Sequence, residues 1–518
     1  MNLETLDKDW DLVIVGGGIT GAGILREAVR NGFKSLLVEQ KDFAWGTSSR
    51  SSKMVHGGLR YLKEGNFRLT HESVKERERL IREAPGLVEP LAFHLPIYKD
   101  RKPGKWTMKA GLVIYDMISG KWNHGYYKKD AFSKMEPLVD TRGLIGGFSF
   151  TDAQVDDARL VLRLINESER YGGLALNYTR AVSLVRDGNS HIQGLVLEDT
   201  ESKESVRIKT RLVINATGVW AEQLHPSPEK NKHLRPLRGS HLVFPMELIP
   251  IGNTVSFFSP VDGRPLFVIP WEGAVLVGTT DLDHEKPLSF EPAATKTEIA
   301  YLINGVNRIF PSLKITQSQA ISSFAGVRPV VSEGKVAADK ESRDHVIWKQ
   351  NGLVTVTGGK LTTFRALAHD TLRSVLEYLP GKHLSNAHEA IFDAVDPGLA
   401  QPALSRERFR VLWGRYGKDT ISLLEKAAPD DLEMIPGTRT LWAELPHAAF
   451  NEQIRHLDDL LLRRVRIGLL LQEGGKASMD RIKALCAPVM NWDDQKWEKE
   501  IVDYFNLWKA CYSPCRDG

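Results

Sequence analysis

Gly16, Gly18 and Gly21 fall in the spacing G-x-G-x-x-G, inside the run Gly16-Gly17-Gly18-Ile19-Thr20-Gly21-Ala22-Gly23. The chemistry open to such a run is to hold a pyrophosphate. The first glycine permits a tight turn, the second lets backbone approach the phosphates, and the third lets a helix pack close on a strand. The helix start then turns unpaired N–H groups and the positive end of its dipole toward the anion. Glu39 follows about 20 residues on, where a carboxylate accepts hydrogen bonds from ribose hydroxyls and favours an unphosphorylated ribose. A second stretch, Gly46-Thr47-Ser48-Ser49-Arg50-Ser51-Ser52-Lys53, is small and polar. Glycine there would let backbone approach a flat ring, and hydroxyls would bond phosphate and ring edges. Taken alone, it does not rise above an ordinary polar loop, and the first loop alone does not separate NAD from FAD.

These residues need a strand before the glycines and a helix after them. Asp11 to Val15 is a short apolar run rich in branched residues and reads as a buried parallel strand. Ile19 to Arg30 carries a helical pattern, and Ser35 to Val38 is a second short strand ending at Glu39. Together they make a βαβ unit. A second such block spans Ala158 to Ala216. In it Leu160 to Tyr171 reads as a helix stopped by Gly172-Gly173, followed by strand-like runs at Val182 to Val185, Ile192 to Leu197 and Leu212 to Asn215. A third strand, Leu353 to Thr357, precedes Gly358-Gly359 and a helical stretch from Leu361 to Tyr378. The intervening stretches, roughly 90–150 and 230–345, read as strands and loops. The simple organisation is one nucleotide-binding domain interrupted by a second domain that caps it. From Ser405 to Ala510 the patterns are helical, and Leu457, Leu461, Val465 and Leu469 share a face of a helix over Leu457 to Leu471. Asp396-Pro397-Gly398 and Gln401-Pro402 read as a linker before this tail.

The 518 residues suffice for about three to four domain-sized units. With 42% hydrophobic and 26% charged residues, the composition excludes a disordered chain, a collagen-like repeat and a disulfide scaffold. A net charge of +4 does not argue for nucleic acid. The three cysteines, Cys486, Cys511 and Cys515, fit a reducing compartment, and their spacing does not suggest zinc. Met1 to Trp10 lacks the features of a signal or transit segment, and no uncharged apolar run approaches the ~18 residues of a spanning helix. The expectation is a cytoplasmic chain, bound at most to a membrane surface.

Beyond Lys53 the chain reads Met54-Val55-His56-Gly57-Gly58-Leu59-Arg60-Tyr61-Leu62. Further runs are Asn215-Ala216-Thr217-Gly218-Val219-Trp220-Ala221, Arg238-Gly239-Ser240-His241 and Val277-Gly278-Thr279-Thr280-Asp281. Ala325-Gly326-Val327-Arg328-Pro329, Ser342-Arg343-Asp344-His345 and Gly358-Gly359-Lys360-Leu361-Thr362-Thr363-Phe364-Arg365 complete the set. In this order, with the N-terminal glycine loop, the chain resembles the FAD-dependent glycerol-3-phosphate dehydrogenases of the aerobic, quinone-linked type. These lie within the wider D-amino-acid-oxidase-like flavoprotein group. The resemblance covers most of the chain. It has no EF-hand loop after the helical tail, so it resembles bacterial rather than mitochondrial members. Position 219 is Val where relatives often have Pro.

The resemblance implies an α/β plus α architecture. A discontinuous Rossmann-like FAD-binding domain would take residues 1–90, 151–229 and 346–390. An interleaved α+β substrate or cap domain would take 91–150 and 230–345, and a C-terminal helical domain 400–518. It puts FAD against Gly16, Gly18, Ile19, Thr20, Gly21, Glu39 and Gln40, and against Gly46, Thr47, Ser48, Ser49, Ser52, His56, Gly57 and Gly58. Further contacts would come from Val182, Ala216, Thr217, Gly218, Gly359, Lys360, Leu361, Thr362 and Thr363.

The implied reaction is oxidation of sn-glycerol 3-phosphate to dihydroxyacetone phosphate by hydride transfer to flavin. Arg60, Arg328 and Arg343 resemble the family's substrate-site positions, since a guanidinium grips phosphate oxygens bidentately. His241 is the candidate base for the hydroxyl proton. Tyr61 would bond substrate or pack on the flavin, and Lys360 would place positive charge at its pyrimidine end. No metal is expected.

The family passes its electrons to membrane quinone. The window Lys99 to Lys129 holds eight basic and two acidic residues with Trp106, Tyr115, Trp122, Tyr126 and Tyr127. It suits an anionic membrane surface and reads equally as a solvated basic face. The expected setting is therefore the cytoplasm, peripherally on the inner face of the cell membrane, with no nucleic acid and with room for a homodimer. The alternatives are a glycerol-3-phosphate oxidase using oxygen, another hydroxy- or amino-acid oxidase, and a non-catalytic or RNA-modifying flavoprotein.

Overall fold

In the computed structural model, residues 3–515 are described apart from 60–61, 63–64, 226–232, 260, 333–344, 380, 382, 385–388 and 395–403. The strand Leu12–Val15 lies inside a six-stranded sheet. Across it the order is Val346–Gln350, Leu353–Thr357, Val213–Asn215, Leu12–Val15, Ser35–Val38 and Leu174–Leu176. All neighbours are parallel except the outer Val346–Gln350, which is antiparallel to Leu353–Thr357. Both faces are covered, which is why these strands show no polar alternation. Leu12 and Ile14 join an apolar cluster with the helices Ile19–Arg30, Asp157–Arg170 and Phe364–Val375. Val13 and Val15 join another with Leu195, Leu197 and Ile208 of a three-stranded antiparallel sheet. The helix expected from Leu361 starts only at Phe364, because Lys360, Leu361 and Thr362 run along a cavity wall.

A larger mixed sheet caps this domain. Its long strands are Val88–Tyr98, Leu144–Val155, His233–Pro245 and Ser322–Ser332. The last two pair antiparallel, with Leu237 opposite Arg328, Gly239 opposite Gly326 and His241 opposite Phe324. On its other side His241 faces Gly278 of the strand Ala274–Gly278.

Among the described residues three α-helices, Lys105–Ser119, Lys129–Met135 and Lys296–Ile309, interrupt stretches expected to be strand and loop. Lys105–Ser119 buries only Met108, Leu112, Tyr115 and Asp116, so its apolar stripe is narrow. Lys296–Ile309 did carry a readable signal, a capping box in which Thr295 and Glu298 satisfy each other's backbone N–H groups.

The tail is helical at Arg406–Tyr416, Asp419–Lys426, Glu444–Asn451, Met479–Cys486 and Asp494–Cys511. The single helix expected over Leu457 to Leu471 is broken. A π-turn occupies Asp459–Arg464, Arg466 is left-handed with φ 62°, and a short helix follows at Ile467–Leu470. All four leucine and valine positions of the expected stripe are nonetheless buried. The break turns Arg463, Arg464 and Arg466 inward as well, where each reaches an acceptor in the first domain. Leu461, Trp497 and Tyr504 of the tail share one apolar cluster with Phe93, Phe148 and Leu276 of the cap sheet.

Candidate active site

A cavity of about 570 Å³ opens at the C-terminal ends of the parallel strands, where Val15, Val38 and Thr357 line it, and continues to the cap sheet. In open parallel sheets this is where ligands bind.

Its first end is backbone. Gly16 has φ 116°, and a Cβ there would sit 2.5 Å from the Ala216 carbonyl oxygen. A Cβ on Gly21 would sit 1.9 Å from the Gly16 carbonyl oxygen, so the close helix–strand approach needs glycine. Ile19 N–H donates to Ser48 Oγ at 3.0 Å, which ties the helix start to the second polar loop. Glu39 accepts from Gly17 N–H at 2.7 Å and from Lys41 N–H at 3.0 Å. Burial pushes its carboxyl above the usual range against those two bonds. An ionised carboxylate has about four lone-pair sites, so two such bonds leave capacity for ribose hydroxyls.

The second end is side chain. Gly239 and Gly326, opposite each other across the ladder, line the cavity, and so do the next residues of the same parity, His241 and Arg328. A side chain at Gly239 would approach Arg328 Nη2 to 3.0 Å, and one at Gly326 would meet the Arg50 carbonyl oxygen at 2.7 Å. Arg328 donates to Asp281 Oδ1 at 2.9 Å and to the Thr280 carbonyl at 3.2 Å, which orients the guanidinium. His241 Nε2 and Ser52 Oγ share a hydrogen bond of 2.8 Å, and Nδ1 has no partner among the described residues. Burial, then the charges of Lys53 and Arg328, hold this imidazole down at about 3. It is therefore neutral at physiological pH, with a lone pair on one ring nitrogen and an N–H on the other.

Beneath the polar loop lies a buried charge cluster that nothing local in the sequence announces. Lys53 Nζ donates to Asp157 Oδ1 at 2.7 Å and to the Ser49 carbonyl at 2.5 Å. Arg466 donates to the same carbonyl at 2.8 Å and to Asp157 Oδ1 at 3.2 Å. Burial, reinforced by Arg466, lowers the Lys53 amine to about 7 against the pull of Asp157. Next to it Arg464 donates to Asp42 Oδ1 at 2.8 Å, and Arg463 donates to Asp42 as well. The tail thus holds the loop that lines the cavity.

Of the residues named from the sequence, Gly16, Gly18, Ile19, Thr20, Glu39, Gln40, Gly46, Thr47, Ser48, Ser52 and His56 line this cavity. So do Val182, Ala216, Thr217, Gly218, His241, Arg328, Gly359, Lys360, Leu361 and Thr362. Gly21, Ser49, Gly57, Gly58 and Thr363 do not. Gly21 serves helix packing, Ser49 turns its carbonyl to Lys53, and the space beside Gly57 is taken by the Tyr115 hydroxyl. Arg60, Tyr61 and Arg343 lie outside the described residues. Sequence reasoning passed over Arg50, Ser51, Gly239 and Thr279 as lining residues, although all four stand inside motifs it had singled out. It also missed Trp220, whose indole closes on Gly46 at 3.4 Å from where a Cβ would be.

The glycine cradle, the hydroxyls at Thr47 and Ser48 and the carboxylate at Glu39 fit an adenine dinucleotide, and the cavity's continuation to the cap leaves a second end for a reactive ring. Comparison with known proteins agrees. A family model described as FAD dependent oxidoreductase matches residues 11–366, and one described as the C-terminal domain of alpha-glycerophosphate oxidase matches 360–497. The aerobic glycerol-3-phosphate dehydrogenase of Staphylococcus saprophyticus is 34% identical over 485 residues, 88% of this chain and 87% of that protein. The glycerol-3-phosphate dehydrogenase of Bacillus halodurans, solved in complex with FAD, superposes with a TM-score of 0.78 at 26% identity, covering 98% of this chain and 96% of that one. L-alpha-glycerophosphate oxidase of Mycoplasma pneumoniae shares the fold, with a TM-score of 0.58 at 18% identity over 71% of this chain and 94% of that one. The chain belongs to the FAD-dependent oxidoreductase family and, within it, to the aerobic glycerol-3-phosphate dehydrogenases.

Proposed function

We propose that this protein oxidises sn-glycerol 3-phosphate to dihydroxyacetone phosphate and passes the two electrons to membrane quinone. The observation that carries the reading is the pairing of a neutral histidine and an oriented arginine, His241 and Arg328, on adjacent strands facing one cavity whose other end is a dinucleotide cradle. FAD, when bound, accepts the hydride from the carbinol carbon. Gly16, Gly18, Thr47, Ser48 and Glu39 would hold its phosphates and ribose, and Lys360 would set positive charge beside its ring. Arg328 grips the substrate phosphate, its guanidinium held edge-on by Asp281. The resemblance assigns Arg60 and Arg343 to the same task and Tyr61 to the substrate, and all three lie outside the described residues. His241 takes the hydroxyl proton, and a dianionic phosphate bound close by raises its affinity for that proton.

The membrane reading is supported by the Lys99–Lys129 surface. Trp106 is 74% and Trp122 68% exposed, and Lys105 Nζ lies 3.8 Å from the Tyr126 ring centroid. Tyr115 is not part of that surface: it is buried, and its hydroxyl donates to Asp152. No helix among the described residues is long and apolar enough to cross a membrane. Oxygen as acceptor is the second reading, favoured by the match of residues 360–497 to an oxidase domain.

The test is a visible spectrum of the purified protein under anaerobic conditions, before and after adding sn-glycerol 3-phosphate. Prompt bleaching of a bound flavin band is expected, and a soluble quinone and oxygen are then compared as oxidants. A flavin band that persists unbleached overturns the substrate.

A further inference from the structure

The His241 ring is held on three sides by residues to which no role toward it has been given. One face stacks on Phe324, with ring centroids 4.8 Å apart and planes 14° from parallel. Gly278 closes one edge: a Cβ there would lie 2.1 Å from His241 Cδ2 and 2.7 Å from Nε2. Ser52 Oγ pins Nε2 at 2.8 Å. Phe324 and Gly278 are the ladder partners of His241 on its two neighbouring strands, so neither can slide away without breaking the sheet. Ser52 is fixed in turn. Ser51 donates to Asp157 Oδ2 through Oγ at 2.6 Å and through N–H at 2.9 Å, and the next residue, Lys53, is left-handed with φ 57°.

We propose that Ser52, Gly278 and Phe324 are positioning residues for His241, fixing the plane and reach of its imidazole so that it meets the carbinol hydroxyl of the substrate. The inference rests on the reading of His241 as the base. An imidazole turns about two side-chain torsions. Stacking on Phe324 restricts the second, contact with Gly278 restricts the first, and the Ser52 hydroxyl keeps Nε2 on the cavity side. The need is physical, because displacing a reacting group by about 1 Å costs about 100-fold in rate. Glycine is required at 278 for the space its missing side chain leaves, since that space is filled by the ring itself. The charged groups facing the ring are Lys53, Arg328 and Asp157.

The experiment uses the flavin-loaded protein and measures the limiting rate of anaerobic flavin reduction by sn-glycerol 3-phosphate, the substrate concentration at half-rate, the flavin content and the pH profile. Gly278→Ala is expected to lower the limiting rate about 100-fold. Flavin should stay bound and the half-saturating concentration should stay within about three-fold, as expected when ground-state binding is untouched. A ring pushed toward the cavity is better solvated, so the acid limb of its pH profile moves to higher pH, which a merely structural residue would not cause. Ser52→Ala and Phe324→Leu should each cost about 10-fold, and Phe324→Tyr, which keeps the ring, should recover most of the rate.

All of these changes are then repeated beside His241→Ala. Residues that act through His241 cause no further loss in that background. Undiminished losses there, or a Gly278→Ala protein with bound flavin and the parent rate, overturn the positioning role. If Gly278→Ala does not fold, Ser52→Ala and the Phe324 pair decide. A His241→Ala protein that reduces its flavin at the parent rate removes the base, and this inference with it. A large loss in His241→Ala alongside unaffected Ser52 and Phe324 variants keeps the base and removes only the positioning set.

Discussion

At the Gly16–Gly21 end the cavity wall is main chain, whereas at the His241–Arg328 end it is charged and titratable side chains on a mixed sheet. The first end offers N–H groups, a helix start and one carboxylate, and its shape tolerates no added Cβ at Gly16 or Gly21. The second tolerates none at Gly239, Gly278 or Gly326, but for another reason: there the missing side chains leave room for an arginine, an imidazole and an approaching loop. The difference teaches where each end is vulnerable. The main-chain end fails by shape and loses its ligand. The side-chain end fails by chemistry and keeps it.

Breaking the first end should have the largest effect. Gly21→Ala puts a methyl group 1.9 Å from the Gly16 carbonyl oxygen. The protein is expected to purify without flavin and to lose about 3 kcal/mol of stability, read from the absorbance ratio and the denaturant midpoint. Full flavin content would mean the cradle does not hold the cofactor. At the other end, Arg328→Ala should lower kcat/KM for sn-glycerol 3-phosphate on the order of 100- to 1,000-fold with flavin content unchanged. Parallel loss of flavin would erase the distinction between the two ends.

The cluster beneath both ends yields a pH prediction. The Lys53 amine falls from an ordinary 10.5 to about 7 on folding, chiefly through burial. Between those values the unfolded chain binds more protons than the folded one, so this group makes stability rise with pH across the window and weighs most against folding below it. The stability of the parent relative to Lys53→Met should therefore increase from pH 7 to pH 9.5, on the order of 2 kcal/mol, measured as urea midpoints. A difference that is flat with pH would mean the amine stays charged. The smallest effect is expected at two exposed side chains that do not line the cavity. Trp106→Ala with Trp122→Ala should weaken binding to anionic vesicles about 10-fold, in a sedimentation assay.

The phosphate end was legible because its parts are neighbours in the chain. Strand, glycines, helix and Glu39 all fall within residues 11–39, and the helix bounds Ile19–Arg30 and the strand bounds Ser35–Val38 were readable to the residue. His241, Arg328 and Lys360 were reached by resemblance, since no local periodicity marks them. The helix Lys105–Ser119 escaped because its buried stripe is narrow, and the expected Leu457–Leu471 helix broke because periodicity does not register three arginines with buried acceptors elsewhere.

From sequence alone came what short-range physics dictates: the βαβ unit, the anion cradle, the helical tail and the motifs that carry the family. Tertiary structure decided the rest. Only the ladder between His233–Pro245 and Ser322–Ser332 brings His241 opposite Phe324, and only strand pairing puts Gly278 against its ring. Lys53 and Asp157, like Asp42 and Arg464, are paired across long stretches of chain and are fully buried. Burying a charge is unfavourable unless a partner meets it. That partner is set by how distant segments pack, so no window of sequence contains it.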